Sequence, residues 1–208
     1  MQGFCAVGTT ERALQSLSAY PWKWILSPFG PFHNARTRPY VCDNGAFPCH
    51  LKGKPFDDAR FLKFLDKYGS EAEWVVCPDA VGDKSRTLEM ASEWLPALSE
   101  HRLLLALQDG MTEEDILPFI DQIHGIFLGG SSEWKEASMF QWGIIARKHG
   151  LYYHVGRVNT VRRIKKCMRS NVDSFDGSGM AKFSAHGEFI SQWMSQHVLD
   201  REQLSFRF

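Results

Sequence analysis

A chain of 208 residues with 44% hydrophobic and 23% charged side chains has the make-up of one globular domain, neither disordered nor membrane-like. Lys plus Arg and Asp plus Glu both number 24, so no global field draws the chain to a polyanion and any nucleic-acid surface has to be local. No apolar run approaches the roughly 20 residues of a bilayer span, the start MQGFCAVGTTERAL lacks the basic opening and apolar core of a signal peptide, and the five cysteines are scattered without a C-x-x-C pair. A cytoplasmic protein without membrane contact, disulfide framework or structural zinc is the expectation.

Residues 3–7 read as a short strand, and Thr9 or Thr10 caps a helix that Pro21 ends. A second apolar run at 24–27 leads into SPFGPFHNARTRPY, whose Pro, Gly and polar content predicts a long loop. Loops of that length in compact domains usually bind something. A strand at 40–43 ends in CDNGAF, and a second loop carries His50 and Lys52. The spacing of Phe61, Leu62, Phe64 and Leu65 predicts a helix over 57–68, stopped by Gly69. From there strands at 74–77, 103–107, 125–128, 152–155 and 173–176 alternate with helices at 84–98, from Thr112, at 134–149, at 160–169 and at 188–198.

Short apolar strands without strict alternation, each followed by an amphipathic helix, call for a parallel sheet buried on both faces. Eight strands predict a small α/β domain of the (β/α)8 TIM-barrel type spanning 1–208, with one crossover replaced by the loop after Ser27. The alternative is a doubly wound open sheet, although its G-x-G-x-x-G fingerprint is absent.

In a barrel, the residues just past each strand converge on one mouth. Those positions hold Asp43, Asp79 with Asp83, Gln108 with Asp109, Gly129 with Gly130, Gly156 with Arg157, and Asp176. Asp83 and Asp109 are equally well explained as turn or helix-cap residues. Carboxylates clustered at one end of a sheet repel one another unless a ligand uses them. The eight histidines form no H-x-H or H-E-x-x-H pattern, and neither G-x-S-x-G nor a Cys and His pairing appears, so neither a metal nor another cofactor is expected. Paired carboxylates remain, and such a pair can cleave a glycosidic bond, one as nucleophile and one handling protons.

Five segments, in order, resemble motifs of the tRNA-guanine transglycosylase superfamily. CDNGAF resembles its D-S-G-G-[FY]-Q segment and CPDAVGD its base-recognising strand end. LQDG is similar to V-Q-G-G, FLGG to G-G-L-A-V-G, and YHVG followed by a helix and NVDSFD to Y-L-M-G leading into G-V-D-M-F-D. The resemblance covers roughly residues 40–179 and implies that Asp176 attacks C1′ of a nucleotide while Asp43 acts as acid/base. It further implies a base pocket made of Asp79, Gln108, Phe47 and the backbone around Gly129 and Gly130.

The segment after Asp176, GSGMAKFSAHGEFISQWMSQH, lacks the cysteines of the zinc subdomain that tRNA-acting members carry. The chain is thereby more similar to the compact deazapurine DNA-modification proteins, which favours DNA with a flipped base over tRNA, and a free 7-deazapurine as second substrate. Arg157 and the basic helix with Arg162, Arg163, Lys165 and Lys166 are the expected phosphate contacts, joined by Arg36 and Arg38 from the long loop. A solvated helix face explains such a basic run as well. Three functions follow from this pattern: base exchange by a transglycosylase, excision of a modified base by a DNA glycosylase, as in defence against phage, and a silent nucleic-acid or nucleobase-binding module.

Overall fold

The computed structural model describes residues 1–199. Eight parallel strands close into a barrel in sequence order, β8 pairing back onto β1. They are β1 (Gln2–Ala6), β2 (Lys23–Leu26), β3 (Tyr40–Cys42), β4 (Val75–Val76), β5 (Leu103–Leu107), β6 (Gly125–Leu128), β7 (Tyr152–Val155) and β8 (Ser174–Asp176). The fold is therefore a small (β/α)8 barrel. The open doubly wound sheet is not adopted, because β1 and β8 bond to each other and leave no edge.

The helices are α1 (Glu11–Ser16), α2 (Ala46–Leu51), α3 (Asp58–Tyr68), α4 (Lys84–Ala97), α5 (Glu113–Ile116), α6 (Ser132–Lys148), α7 (Val161–Arg169), α8 (Gly179–Lys182) and α9 (Ser184–Met194). Several start at side-chain caps: Thr10, Asp83, Ser131 and Thr160 each accept a bond from the backbone amide three residues on. Asp83 is thus a cap. No helix among the described residues is long and apolar enough to cross a membrane.

Between β2 and β3 the chain forms only a 3-10 turn at Ala35–Thr37, so the long loop stands where a helix would. The second expected loop is instead α2, whose Pro48 sits in the first turn, where its missing N–H costs nothing. The helix expected from Thr112 is a single α-turn continued as a 3-10 segment, Leu117–Gln122, with Pro118 at its start. The last helix starts earlier than expected, as α8 and α9, followed by a π-helical turn at Ser195–Leu199.

Two apolar layers hold the barrel. Phe4, Val41, Trp74, Val76, Leu104 and Ala106 fill its lumen, while the larger layer lies between strands and helices. The lumen set positions the chemistry, because side chains alternate along a strand. Two residues beyond inward-facing Val41 comes Asp43, two beyond Ala106 comes Gln108, and two beyond Ser174 comes Asp176. The lumen is thus apolar in the middle and polar where it opens.

Candidate active site

The site begins with CDNGAF. The amide of Gly45 donates to Asp43 Oδ2 at 3.1 Å, closing a tight turn at a left-handed residue with φ of 80°. Only glycine fits there, since a Cβ would also press on the Phe29 ring at 3.0 Å. Asn44 turns the other way, its Nδ2 donating to Cys77 O at 2.8 Å and to Asp79 Oδ1 at 2.7 Å. The end of β3 is thereby stitched to the end of β4.

Asp79 is buried and accepts at its second oxygen from Gln108 Nε2 at 2.6 Å, while Gln108 Oε1 accepts from the Gly82 amide at 2.9 Å. Burial pushes Asp79 up to about 6 against the pull of Asn44 and the nearby His50. Asp43 is pushed further, to about 7, first by burial and then by the Asp176 and Asp79 carboxylates, with the Gly45 amide acting the other way. The three carboxyl groups thus occupy one electrostatic unit at one end of the barrel.

Asp176 sits at the end of β8 with both oxygens occupied. Oδ1 accepts the Arg157 amide at 3.2 Å, and Oδ2 lies 3.1 Å from His154 Nε2. Arg157 holds φ of 60°, a left-handed conformation that a long side chain rarely adopts and that aims its N–H at the carboxylate. Its guanidinium donates to Gly130 O and lies 4.8 Å from the centroid of the Phe47 ring.

These groups surround a cavity of about 300 Å³. Ala6, Ile25, Val76, Ala106 and Phe127 form its apolar wall, and Asp43, Asn44, Asp79, Gln108, Arg157 and Asp176 supply its polar groups. A groove of about 420 Å³ adjoins it, sharing Asp79 and Val81 and reaching out to His50, Lys54 and Arg86. Among the described residues, no group of three or more His, Cys, Asp and Glu could hold a metal ion.

The expected base-binding residues Asp79, Gln108, Phe47, Gly129 and Gly130 all line this cavity. Their hydrogen-bonding capacity is partly spent within the protein. The Gln108 amide is committed at both ends, and the Gly129 amide donates to Leu107 O at 3.2 Å. Barrels commonly bind phosphate through the loops after the seventh and eighth strands. Here two amides of that corner are already bonded within the protein, Gly177 to Phe4 O at 3.1 Å and Gly179 to Asn159 Oδ1 at 2.8 Å.

The expected phosphate contacts divide. Arg157 lines the cavity. On α7, Arg162 and Arg163 both bond Glu136 Oε1, at 3.0 and 2.9 Å, Lys166 donates to the Glu136 carbonyl, and Lys165 lies over the Trp193 ring. Glu136 of α6 therefore takes up charge that the sequence assigns to a ligand. Arg36 and Arg38 are not at the mouth. Arg36 pairs with Glu71 at 2.8 Å and Arg38 donates to Trp22 O at 3.0 Å, both beside the N-terminal ends of strands, because the long loop descends the outside of the barrel to reach β3.

Two residues of the site escape a search for strand-end acids. His154 lies wholly inside the barrel against Asp176. Lys135, buried on α6, donates its ammonium to Gly156 O at 2.6 Å, and burial beside Arg157 brings it down to about 7. The signal for Lys135 was a cation on the apolar face of α6, at i−4 from Met139. Asp109, by contrast, serves the loop, accepting the Ser131 amide at 2.6 Å.

No family model and no curated protein matches this chain. Solved structures match its shape. KGPDC from Streptococcus mutans aligns with a TM-score of 0.52 at 13% identity, over 93% of this chain and 95% of that one. A 3-hexulose-6-phosphate synthase aligns at 0.52 and 12%, over 94% and 99%. An enolase protein from Sargasso Sea environmental sequence aligns at 0.47 and 14%, over 85% of this chain, and there the chain spans 53% of the other's length. At such identities the likeness establishes the TIM-barrel fold and nothing finer.

Proposed function

We propose that this chain is an enzyme that breaks the N-glycosidic bond of a nucleotide in DNA, with Asp176 as nucleophile and Asp43 as acid/base, and exchanges the base for a 7-deazaguanine-type one. The observation that carries the reading is that Asp43 and Asp176 face one apolar-walled cavity, with Asp43 held near the protonated form partly by Asp176 itself. In the first step an oxygen of Asp176 bonds to C1′, the electron pair of the broken C1′–N bond leaves with the base, and Asp43 supplies its proton. In the second step Asp43, now ionised, takes a proton from the incoming base, which attacks C1′ as the Asp176 carboxylate departs. A dry cavity favours both steps, since charge developing there is poorly screened.

The base has a matching bed. Phe47 offers a ring at the rim, and the carboxylate of Asp79, backed by Asn44 and Gln108, offers acceptors to ring N–H and amino groups. The commitment of the Gly177 and Gly179 amides within the protein disfavours a small sugar phosphate held in the manner common to barrels. Arg157 is the cation that lines the cavity among the described residues, and the groove past Asp79 gives a flanking nucleotide room.

Incubation with modified and unmodified oligonucleotides, with and without a free 7-deazapurine, tests the proposal. Base incorporation with a denaturation-resistant adduct that Asp176→Asn abolishes is the expected result. Base release without incorporation would make water the second nucleophile and the enzyme a DNA glycosylase. Binding with no product would leave a nucleobase-binding module and overturn the catalytic assignment.

A further inference from the structure

We propose that His154 is a positioning residue for Asp176: backed by Ser174, it clamps one carboxylate oxygen while the Arg157 amide clamps the other. This rests on the glycosyl-transfer reading above. The motif Y-L-M-G, which YHVG resembles, has an aliphatic residue where this chain has His154, so the contact belongs to this chain.

The geometry leaves the imidazole no freedom. His154 is fully buried on β7, its Nε2 3.1 Å from Asp176 Oδ2 and its Nδ1 2.8 Å from Ser174 Oγ. Ser174 is its register partner on β8, two residues before Asp176, so neighbouring inward positions of adjacent strands build the chain of contacts. Phe127 stacks on the ring at 4.8 Å, and Trp74 and Phe4 meet it edge-on at 4.9 and 5.9 Å. Rotation would drive the ring into these aromatics.

Chemistry then selects the tautomer. Burial pushes the imidazole down from its ordinary pKa, against the opposing pull of Asp176, so the ring is neutral and carries one N–H. An ionised carboxylate only accepts, hence the proton is on Nε2 and Nδ1 accepts from the Ser174 hydroxyl. On the far side, the loop that presents the Arg157 amide is held by Lys135 on Gly156 O. Asp176 therefore receives two fixed donors from two directions.

Such a clamp acts at both chemical steps. Before attack it selects the carboxylate orientation that faces C1′. Once the ester forms, the oxygen not bonded to carbon becomes the carbonyl and keeps its donor. As the ester breaks, negative charge returns to the carboxylate and both hydrogen bonds strengthen, which stabilises it as a leaving group.

The test uses His154→Leu, which removes the donor at similar volume, His154→Gln, which retains one, and Ser174→Ala, which removes the partner of Nδ1 and loosens the ring, in the full chain. Nitrogen NMR of the wild-type imidazole should show Nε2 protonated and Nδ1 bare. Carbon NMR of the Asp176 carboxyl should show its resonance displaced in His154→Leu and nearly restored in His154→Gln, as the hydrogen bond to Oδ2 is lost and regained. Asp43, Lys135 and Arg157, the other charged groups around that carboxyl, are unchanged in every variant. With substrate, adduct formation and resolution should slow by roughly 10- to 100-fold in His154→Leu with KM little changed.

A wild-type imidazole protonated at Nδ1, or an unmoved Asp176 carboxyl resonance in folded His154→Leu, overturns the inference. Should His154→Leu fail to fold, Ser174→Ala decides, because the clamp requires its imidazole signals to shift and its adduct chemistry to slow. If the wild type forms no adduct with any oligonucleotide, the glycosyl-transfer reading fails, and the NMR result still decides whether His154 clamps Asp176.

Discussion

Phe47 and Arg157 meet across the mouth of the barrel. Phe47 follows β3 and Arg157 follows β7, four strands apart in a closed ring of eight, yet the guanidinium carbon lies 4.8 Å from the ring centroid. Together they roof the cavity, and Phe47 stays 37% exposed above it.

On the glycosyl-transfer reading, a base entering the cavity has to part that contact or slide beneath it. Phe47→Ala should raise KM for the base-bearing substrate by about tenfold, the scale of one lost aromatic stack, and change kcat less. The fold should hold, since an exposed cation–π contact is worth only about 0.5 to 1 kcal/mol. Steady-state kinetics beside a urea melt would separate the two effects.

Asp43 and Lys135 set opposite slopes of stability with pH. Asp43 moves from an ordinary 3.8 to about 7, so between those values the folded chain keeps a proton that the unfolded chain has lost, and the group's contribution falls as pH rises. Lys135 moves from 10.5 down to about 7, so from there to about 10.5 the unfolded chain holds the extra proton and stability rises with pH. Asp43→Asn should therefore stabilise the protein at pH 8, by about 2 to 4 kcal/mol, and abolish turnover. Equal stability of the two proteins at pH 8 in denaturant titrations would contradict an Asp43 carboxyl whose pKa is raised by desolvation and by the neighbouring carboxylates.

Glu136 is predicted to restrain nucleic-acid binding. Its carboxylate holds Arg162 and Arg163 on α7, so Glu136→Gln should release both guanidinium groups, tighten binding of an oligonucleotide at low salt and steepen its salt dependence. Partly exposed ion pairs contribute little to folding, so the melting temperature should barely change. Fluorescence anisotropy over a salt series reads both affinity and slope. An unchanged slope would mean that α7 is not part of the interface.

Gly143 marks where α6 touches the turn before β8. A Cβ there would come within 1.9 Å of Ser170 O, a backbone atom that cannot swing aside. Gly143→Ala should cost about 3 kcal/mol in a urea melt despite the better helix propensity of alanine. An unchanged midpoint would show that this helix can retreat from the turn without loss.

The amino-acid sequence carried the fold because its cues are local. Apolar runs ending in Asp, Gln or Gly, and Thr10, Asp83, Ser131 and Thr160 capping helices behind them, lay out eight strands along the chain, each but β2 followed by a helix. Strand alternation then carried inward-facing Val41 to Asp43, and Ser174 to Asp176, so the two acids at the centre of the candidate site were legible before any contact was known. The six residues of α2 were not, since Pro48 and the absence of a side-chain cap disguise so short a helix as a loop.

What only the tertiary structure decided is which charges remain available and which groups touch the acids. The cations of α7 are indistinguishable from a free basic face until Glu136 of another helix is placed beside them, and the path of the chain outside the barrel carries Arg36 and Arg38 away from the mouth. His154 and Lys135 likewise acquire their roles from residues more than 20 positions away. Strand ends and caps follow from near neighbours in the chain, whereas charge neutralisation and hydrogen-bond partnership follow from barrel closure, which brings distant segments together.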